Sequence, residues 1–204
     1  MLTENNYEKR YCPDRKKSRL SKWEKCLHHP ALLREAEISE AFYELLVTIE
    51  ENNWSGACHS ASAILYVLFS ELEIHAELCV GEVQFDTTII DHSWVEANTE
   101  IYDASIYRGI CGISLSPPVF RSLNIETQKP ADGVYGIAKD GIGETARSIL
   151  SVSLSDYMDH YTVCENGLWN YVREIGNRVG LSVDISRLRQ KYKTTAWKYK
   201  KNLI

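Results

Sequence analysis

The chain has 204 residues, 44% of them hydrophobic and 25% charged, with a formal net charge of −5. That is enough apolar material for one sizeable core, and it excludes a disordered, collagen-like or small disulfide-stapled chain. The longest apolar run, Ala61 to Phe69, is broken by Ser62 and Tyr66 and is too short to span a bilayer.

The opening residues, Met1-Leu2-Thr3-Glu4-Asn5-Asn6, lack the apolar core of a signal peptide. The six cysteines (Cys12, Cys26, Cys58, Cys79, Cys111 and Cys164) are widely scattered, so reduced thiols and a cytoplasmic setting are expected. Charge is uneven. Residues 1–26 hold eight Lys/Arg against four Asp/Glu, and residues 187–204 hold seven Lys/Arg and no acid. The 160 residues between them carry a balance of −16. Basic ends on an acidic body pack against that body or form a patch for phosphate or nucleic acid, and the first reading is the simpler.

In chain order, residues 1–29 read as a basic, loosely attached arm anchored by sparse residues such as Tyr7, Tyr11, Leu20 and Trp23. Cys12, Cys26, His28 and His29 match no zinc-ligand spacing, so no metal is expected there. Pro30 to Glu51 reads as a helix, with Leu33, Ile38, Phe42, Leu45, Leu46 and Ile49 near a 3.6-residue period. Asn52 and Asn53 end it, and Trp54-Ser55-Gly56 turns the chain into a second helix from about Ala57 to Leu72, with Ser55 or Gly56 as N-cap. Cys58, Ala61, Leu65, Leu68 and Leu72 share a face of that helix, with the cysteine at its open end.

Ala76 to Phe85 is apolar on both alternations and reads as a doubly buried strand. A second strand covers residues 90–97, with His92 and Trp94 on one face. A tight connection at Asn98-Thr99-Glu100 leads to a short return strand, Ile101-Tyr102-Asp103. Residues 104–147 are rich in glycine and proline and read as a lid, a substrate-binding loop or ordinary surface, with a strand near Gly133 to Ala138. Helices resume at Ser153, which can cap one. Leu168 to Val179 forms another, and a third, basic one runs from Val183 to Tyr199, starting at Ser182 or Asp184. The expected organisation is therefore a basic arm over 1–29, a catalytic core over 30–150 and a helical extension with a basic tail over 151–204.

A cysteine opening a helix, a histidine on a later strand and an aspartate ending the next is the order of a Cys-His-Asp site. A helix N-terminus and an imidazolium both favour a thiolate, and a carboxylate fixes the imidazole tautomer. Cys58, His92 and Asp103 are thus the candidate nucleophile, general acid–base and orienting group; Asp91 and Glu96 are neighbours on the histidine's own strand and poorly placed to orient it. His59 points about 100° away from Cys58 on the helix and reads as a pocket wall. Trp54 is a further pocket candidate, and Trp94 reads as packing beneath the site. Asn52 and Asn53 both stand as donors that could stabilise an oxyanion with the Cys58 backbone N–H.

These residues also carry a resemblance. Cys58, Ala61, Leu65 and Leu68, then Glu73-Ile74-His75-Ala76-Glu77-Leu78-Cys79-Val80-Gly81, then His92-Ser93-Trp94-Val95-Glu96 and Asp103 resemble the core of transglutaminase-like cysteine enzymes of the broad papain-like group. Lasso-peptide leader peptidases and small bacterial transglutaminase-like proteins are the nearest in flavour. Glu73 and His75 depart from the Gly and Pro usual at the helix-to-strand junction. The resemblance spans about a quarter of the chain. It implies an α+β fold with the cysteine helix packed on an antiparallel sheet, and acyl chemistry through a thioester on a peptide or a glutamine side chain. That covers protease, deamidase and transglutaminase types without a cofactor. In papain-like enzymes a Gln at an offset comparable to Asn52 completes the oxyanion site. Two other readings remain: a catalytically silent binding module on the same fold, and a nucleic-acid-associated protein using its basic ends.

Overall fold

The computed structural model describes residues 13–28, 36–110 and 114–201. In chain order the elements are α1 (Pro13–Leu27), α2 (Ala36–Glu51), α3 (Cys58–Glu71), β1 (Ala76–Phe85), β2 (Thr88–Ala97), β3 (Glu100–Tyr102), β4 (Val119–Phe120), β5 (Leu123–Asn124), β6 (Val134–Ile137), α4 (Glu144–Ser148), α5 (Leu154–Asp159), α6 (Trp169–Arg178), α7 (Ile185–Lys191) and β7 (Lys198–Tyr199). The architecture is α+β. The expected helix over 30–51 is observed from Ala36; Pro30 and Leu33 lie outside the described residues.

The sheet is a meander with a shared outer edge. β1, β2 and β3 pair antiparallel in sequence order, joined by two-residue turns. At the second turn Asn98 and Thr99 both have positive φ, the twist that continues two strands without splaying them. The far edge of β1 is divided between β6, antiparallel along Glu82–Gln84, and β7, parallel at Cys79–Val80. Alternation then gives β1 two dry faces. Leu78 and Val80 join the main core with α2 and α3, whereas Cys79, Val83 and Phe85 pack with Trp94, Ile106, Val119 and Tyr135.

α3 lies in the middle of the molecule, against β1 and β2 on one side and α2, α5 and α6 on the others. It is accordingly buried well beyond a single stripe, with Ala63, Ile64, Val67 and Phe69 enclosed as fully as Ala61, Leu65 and Leu68.

The described parts of both basic ends are docked; residues 1–12 of the expected arm, with Tyr7 and Tyr11, lie outside the described residues. Residues 13–27 are a helix rather than a loose arm: Trp23 is only 1% exposed, packs edge-on to Tyr107 at 4.8 Å and donates its indole N–H to Glu126 at 2.8 Å. At the other end, the expected helix over 183–199 stops at Lys191, and the chain becomes the edge strand β7. Asp184 caps α7 through the amides of Ser186 and Arg187. The basic helix expected there is thus shortened to seven residues. Basic side chains at these ends pair with acids of the body: Arg19 with Glu50, Lys22 with Glu126, Arg187 and Lys191 with Glu71, Arg189 with Asp159, Lys198 with Glu77, and Lys200 with Glu77 and Glu96.

The turn-rich stretch over 104–147 contributes to the core. Val119, Phe120 and Ile125 are buried, and the strand expected near 133–138 is β6.

Candidate active site

Cys58 owes its position to the turn before it. Trp54 donates its amide to Ile49 O at 3.0 Å and is buried among Tyr161 and Tyr171. Gly56 adopts φ +65, and its amide bonds Arg108 O at 2.8 Å; a Cβ there would meet Ile110 Cγ1 at 2.8 Å. Only glycine satisfies both the left-handed backbone and that close approach. Ser55, expected as a possible N-cap, instead donates its hydroxyl to Gly109 O at 2.8 Å. The N-cap of α3 is Ala57, and no side chain caps the helix. Cys58, half-buried, therefore begins a 14-residue helix with no side-chain cap.

His92 and Asp103 meet across the β2–β3 hairpin, as the sequence spacing anticipates. His92 Nε2 lies 2.7 Å from Asp103 Oδ2, with both side chains almost fully buried. The remaining oxygen of Asp103 accepts from the Ser105 amide at 3.0 Å, the Ser105 hydroxyl at 3.1 Å and the Ile106 amide at 3.2 Å. Tyr135 Oη donates to Oδ2 at 2.9 Å.

Burial resists charging both groups. For His92 it is outweighed by the charge and hydrogen bond of Asp103 and by a hydrogen bond with Cys58, which hold the imidazole pKa up at about 10. For Asp103 burial is outweighed by His92, the Ser105 amide and Tyr135, which leave its pKa below the usual carboxylate value. The pair is thus an imidazolium–carboxylate pair at neutral pH. With Nε2 committed to Asp103, Nδ1 is the ring nitrogen left for Cys58.

The other named residues are placed as follows. Asp91 accepts the Gly143 amide at 2.9 Å, and Glu96 takes the Trp94 indole N–H at 2.9 Å and the Lys200 ammonium, so neither orients His92. Trp94 lies in the core edge-on to Tyr135. His59 bonds Ser93 Oγ through Nδ1 at 2.6 Å; burial, reinforced by the His92 charge, lowers its pKa to about 4, so it stands neutral beside the charged ring. Asn52 and Asn53 are exposed and turned to other work. Asn52 donates to Thr48 O and accepts from Tyr171, and the Asn53 carbonyl accepts from Arg108. With both side chains engaged, the backbone amides at the start of α3 are the donors that remain for an anion at Cys58.

Sequence reading did not single out Tyr135, Ser105 or Tyr157. Tyr157 Oη is 3.0 Å from Ser60 Oγ, and its ring packs against His59. The first two follow from Asp103 once its position is known; Tyr157 arrives from a helix 97 residues beyond Ser60 and has no local signal.

Among the described residues, Glu77, Cys79 and Glu96 bring ligand atoms within 4.8 Å of one another. The Lys200 ammonium already bonds both carboxylates, and burial pushes the Cys79 thiol far up, so this cluster is an ion pair over a protonated thiol. Cys12 and His29, weighed above as ligands, lie outside the described residues. Compared with known proteins, the chain matches no family model, no curated sequence and no solved structure.

Proposed function

We propose that the protein is a cysteine-dependent amide hydrolase or acyl transferase with a core like that of transglutaminase-like, papain-like enzymes. The observation that carries this reading is the buried His92–Asp103 pair, 2.7 Å apart, with Cys58 near enough to help hold the imidazole pKa up and placed at the start of a long helix that has no side-chain cap. An imidazolium beside a thiol favours the thiolate, and the helix terminus favours it further.

In the reaction, the Cys58 sulfur attacks an amide carbonyl and the electron pair of the C=O moves to oxygen. The amides at the start of α3 receive that oxyanion. Collapse re-forms the carbonyl and breaks the C–N bond, while the His92 proton passes to the departing amine. The acyl group is now a thioester on Cys58. Water or a second amine, deprotonated by the neutral imidazole, attacks it and returns the thiol. Asp103 holds the ring throughout and stabilises its charged form. Peptide bonds and glutamine side chains both supply such a carbonyl, and the scheme draws on no metal or organic cofactor. A reducing compartment such as the cytoplasm suits it, because the nucleophile must stay a thiol; Cys26, Cys58, Cys79 and Cys164 are all free.

The test uses p-nitrophenyl acetate, a small activated acyl donor, with peptide mapping by mass spectrometry. Wild type is expected to release p-nitrophenol with transient acetylation of Cys58. Cys58→Ala should lose that adduct, and His92→Ala should be nearly as impaired. Acetylation of Cys58 no faster than that of Cys26 would sink the nucleophile assignment and move the silent binding-module reading ahead. The nucleic-acid reading is weakened by the ion pairs that already engage the basic ends.

A further inference from the structure

The segment that follows Asp103 runs on to the turn before Cys58. Asp103 Oδ1 accepts the Ser105 amide and hydroxyl, and Ser105 O accepts the Arg108 amide at 2.9 Å. Residues 108–109 are then hydrogen-bonded to residues 53–56. Arg108 O accepts the Gly56 amide at 2.8 Å, Gly109 O accepts the Ser55 hydroxyl at 2.8 Å, and Arg108 Nη2 donates to Asn53 Oδ1 at 2.7 Å. The other terminal nitrogen of the guanidinium, Nη1, lies 3.4 Å from Glu50 Oε2 on the last turn of α2. The Glu50 side chain is 1% exposed, and its Oε1 is met by Arg19 of α1 at 3.2 Å. Tyr107, beside Arg108 in the chain, is buried against Trp23.

We propose that Arg108 is a positioning residue of this site, clamping the turn that presents Cys58 to the loop that holds Asp103. The inference rests on the reading of Cys58 as nucleophile. His92 belongs to the sheet and Cys58 opens α3, so their relative placement depends on what ties the two together. The segment from Asp103 to Gly109 is hydrogen-bonded to both sides. A guanidinium suits this task because its donors lie in one rigid plane. It holds the buried Glu50 carboxylate and the Asn53 side chain at once, which fixes the end of α2 against the turn. A lysine ammonium balances the Glu50 charge but is a point charge without that fork. A Cys58 turn that drifts from the imidazolium loses part of its thiolate stabilisation, because the attraction falls with distance. An ion pair that served stability alone would leave the reactivity of the sulfur unchanged when weakened.

The experiment is the rate–pH profile of iodoacetamide alkylation at Cys58 in wild type, Arg108→Lys, Asn53→Gly and the double variant, with thermal melts alongside and Cys26 as the reference thiol in wild type. Lysine keeps a cation beside Glu50, and glycine accepts the φ of 53 at Asn53 without strain. Both single-variant profiles are expected to move to higher pH, with Arg108→Lys about tenfold slower on the acid limb, as for loss of one hydrogen bond to a charged group. The double variant is expected to move no further than the worse single one, since both substitutions open the same clamp. If wild-type Cys58 outpaces Cys26 and either single-variant profile stays in place, whatever its melting temperature, the role of Arg108 is overturned while the thiol reading stands. Shifts that add in the double variant overturn it as well. If wild-type Cys58 reacts no faster than Cys26, both readings fall. Should Arg108→Lys fail to fold, Asn53→Gly decides alone, and an unmoved profile overturns the proposal.

Discussion

Asp103 has both oxygens engaged, with His92 and Tyr135 on one and Ser105 and Ile106 on the other. A carboxylate so surrounded is fixed in place, and it fixes His92 in turn. The two shifts set a pH window for stability. The His92 pKa is raised from 6.5 to about 10, so its contribution is complete below pH 6.5 and is lost as pH rises through about 10. The Asp103 pKa is lowered from 3.8, so its contribution is complete above pH 3.8 and is lost as pH falls through the folded-state value. The stabilisation from the pair is therefore full only between 3.8 and 6.5. Thermal melts of wild type and His92→Gln across pH should differ most in that window and converge toward pH 10. A gap that widens with rising pH would show that the ring is buried neutral.

Among the elements, α1 gives the sharpest test. It is largely polar, yet Trp23 reaches the core, packs edge-on to Tyr107 and binds Glu126. Trp23→Ala is expected to cost about 3–5 kcal/mol, the usual range for emptying a buried aromatic site, measured by urea denaturation. A loose arm would give almost nothing. The sequence hid this helix because Leu20, Trp23 and Leu27 are too few to set up a clear period; one large side chain does the docking. α2, α3 and the β1–β3 meander were legible because long apolar periodicities and a two-residue turn specify them locally. The short strands β4, β5 and β7 were not, since two residues carry no period and pairing with distant strands defines them. The same divide runs through the site. Cys58, His92 and Asp103 were visible as residue types at element boundaries. Tyr135 and Tyr157 come from segments whose path to the site only the tertiary fold defines. The side-chain donors expected at Asn52 and Asn53 are engaged elsewhere because Arg108, Thr48 and Tyr171 compete for them.

At the scale of the whole molecule, the acidic body and basic ends are one electrostatic unit. The C-terminal stretch closes the outer edge of β1: the Lys200 amide bonds Val80 O at 2.9 Å, Lys200 Nζ bridges Glu77 and Glu96, and Trp197 seals the side facing His59. A chain ending at Thr195 should leave that edge unpaired, and open edges invite association with other chains. Cys79, fully buried in the intact protein, should then become alkylated under native conditions, with oligomers appearing on size exclusion. A monomer with a protected Cys79 would show that the tail merely rests on the surface.

The hairpin that unites His92 with Asp103 also dictates timing. Those two residues are 11 apart in sequence and are brought together by one tight turn, an event on the order of 1–10 μs in isolated hairpins. Cys58 stands a whole helix and strand away, and closing that larger loop costs more chain entropy. During synthesis and refolding, the acid–imidazole half can form while the sulfur is still an ordinary thiol. On the proposed reading, the nucleophile is assembled only when α3 docks. On that reading, an unfinished chain among reactive metabolites and other nascent chains would be spared premature acylation, and the reactivity of one sulfur would report the completion of the fold.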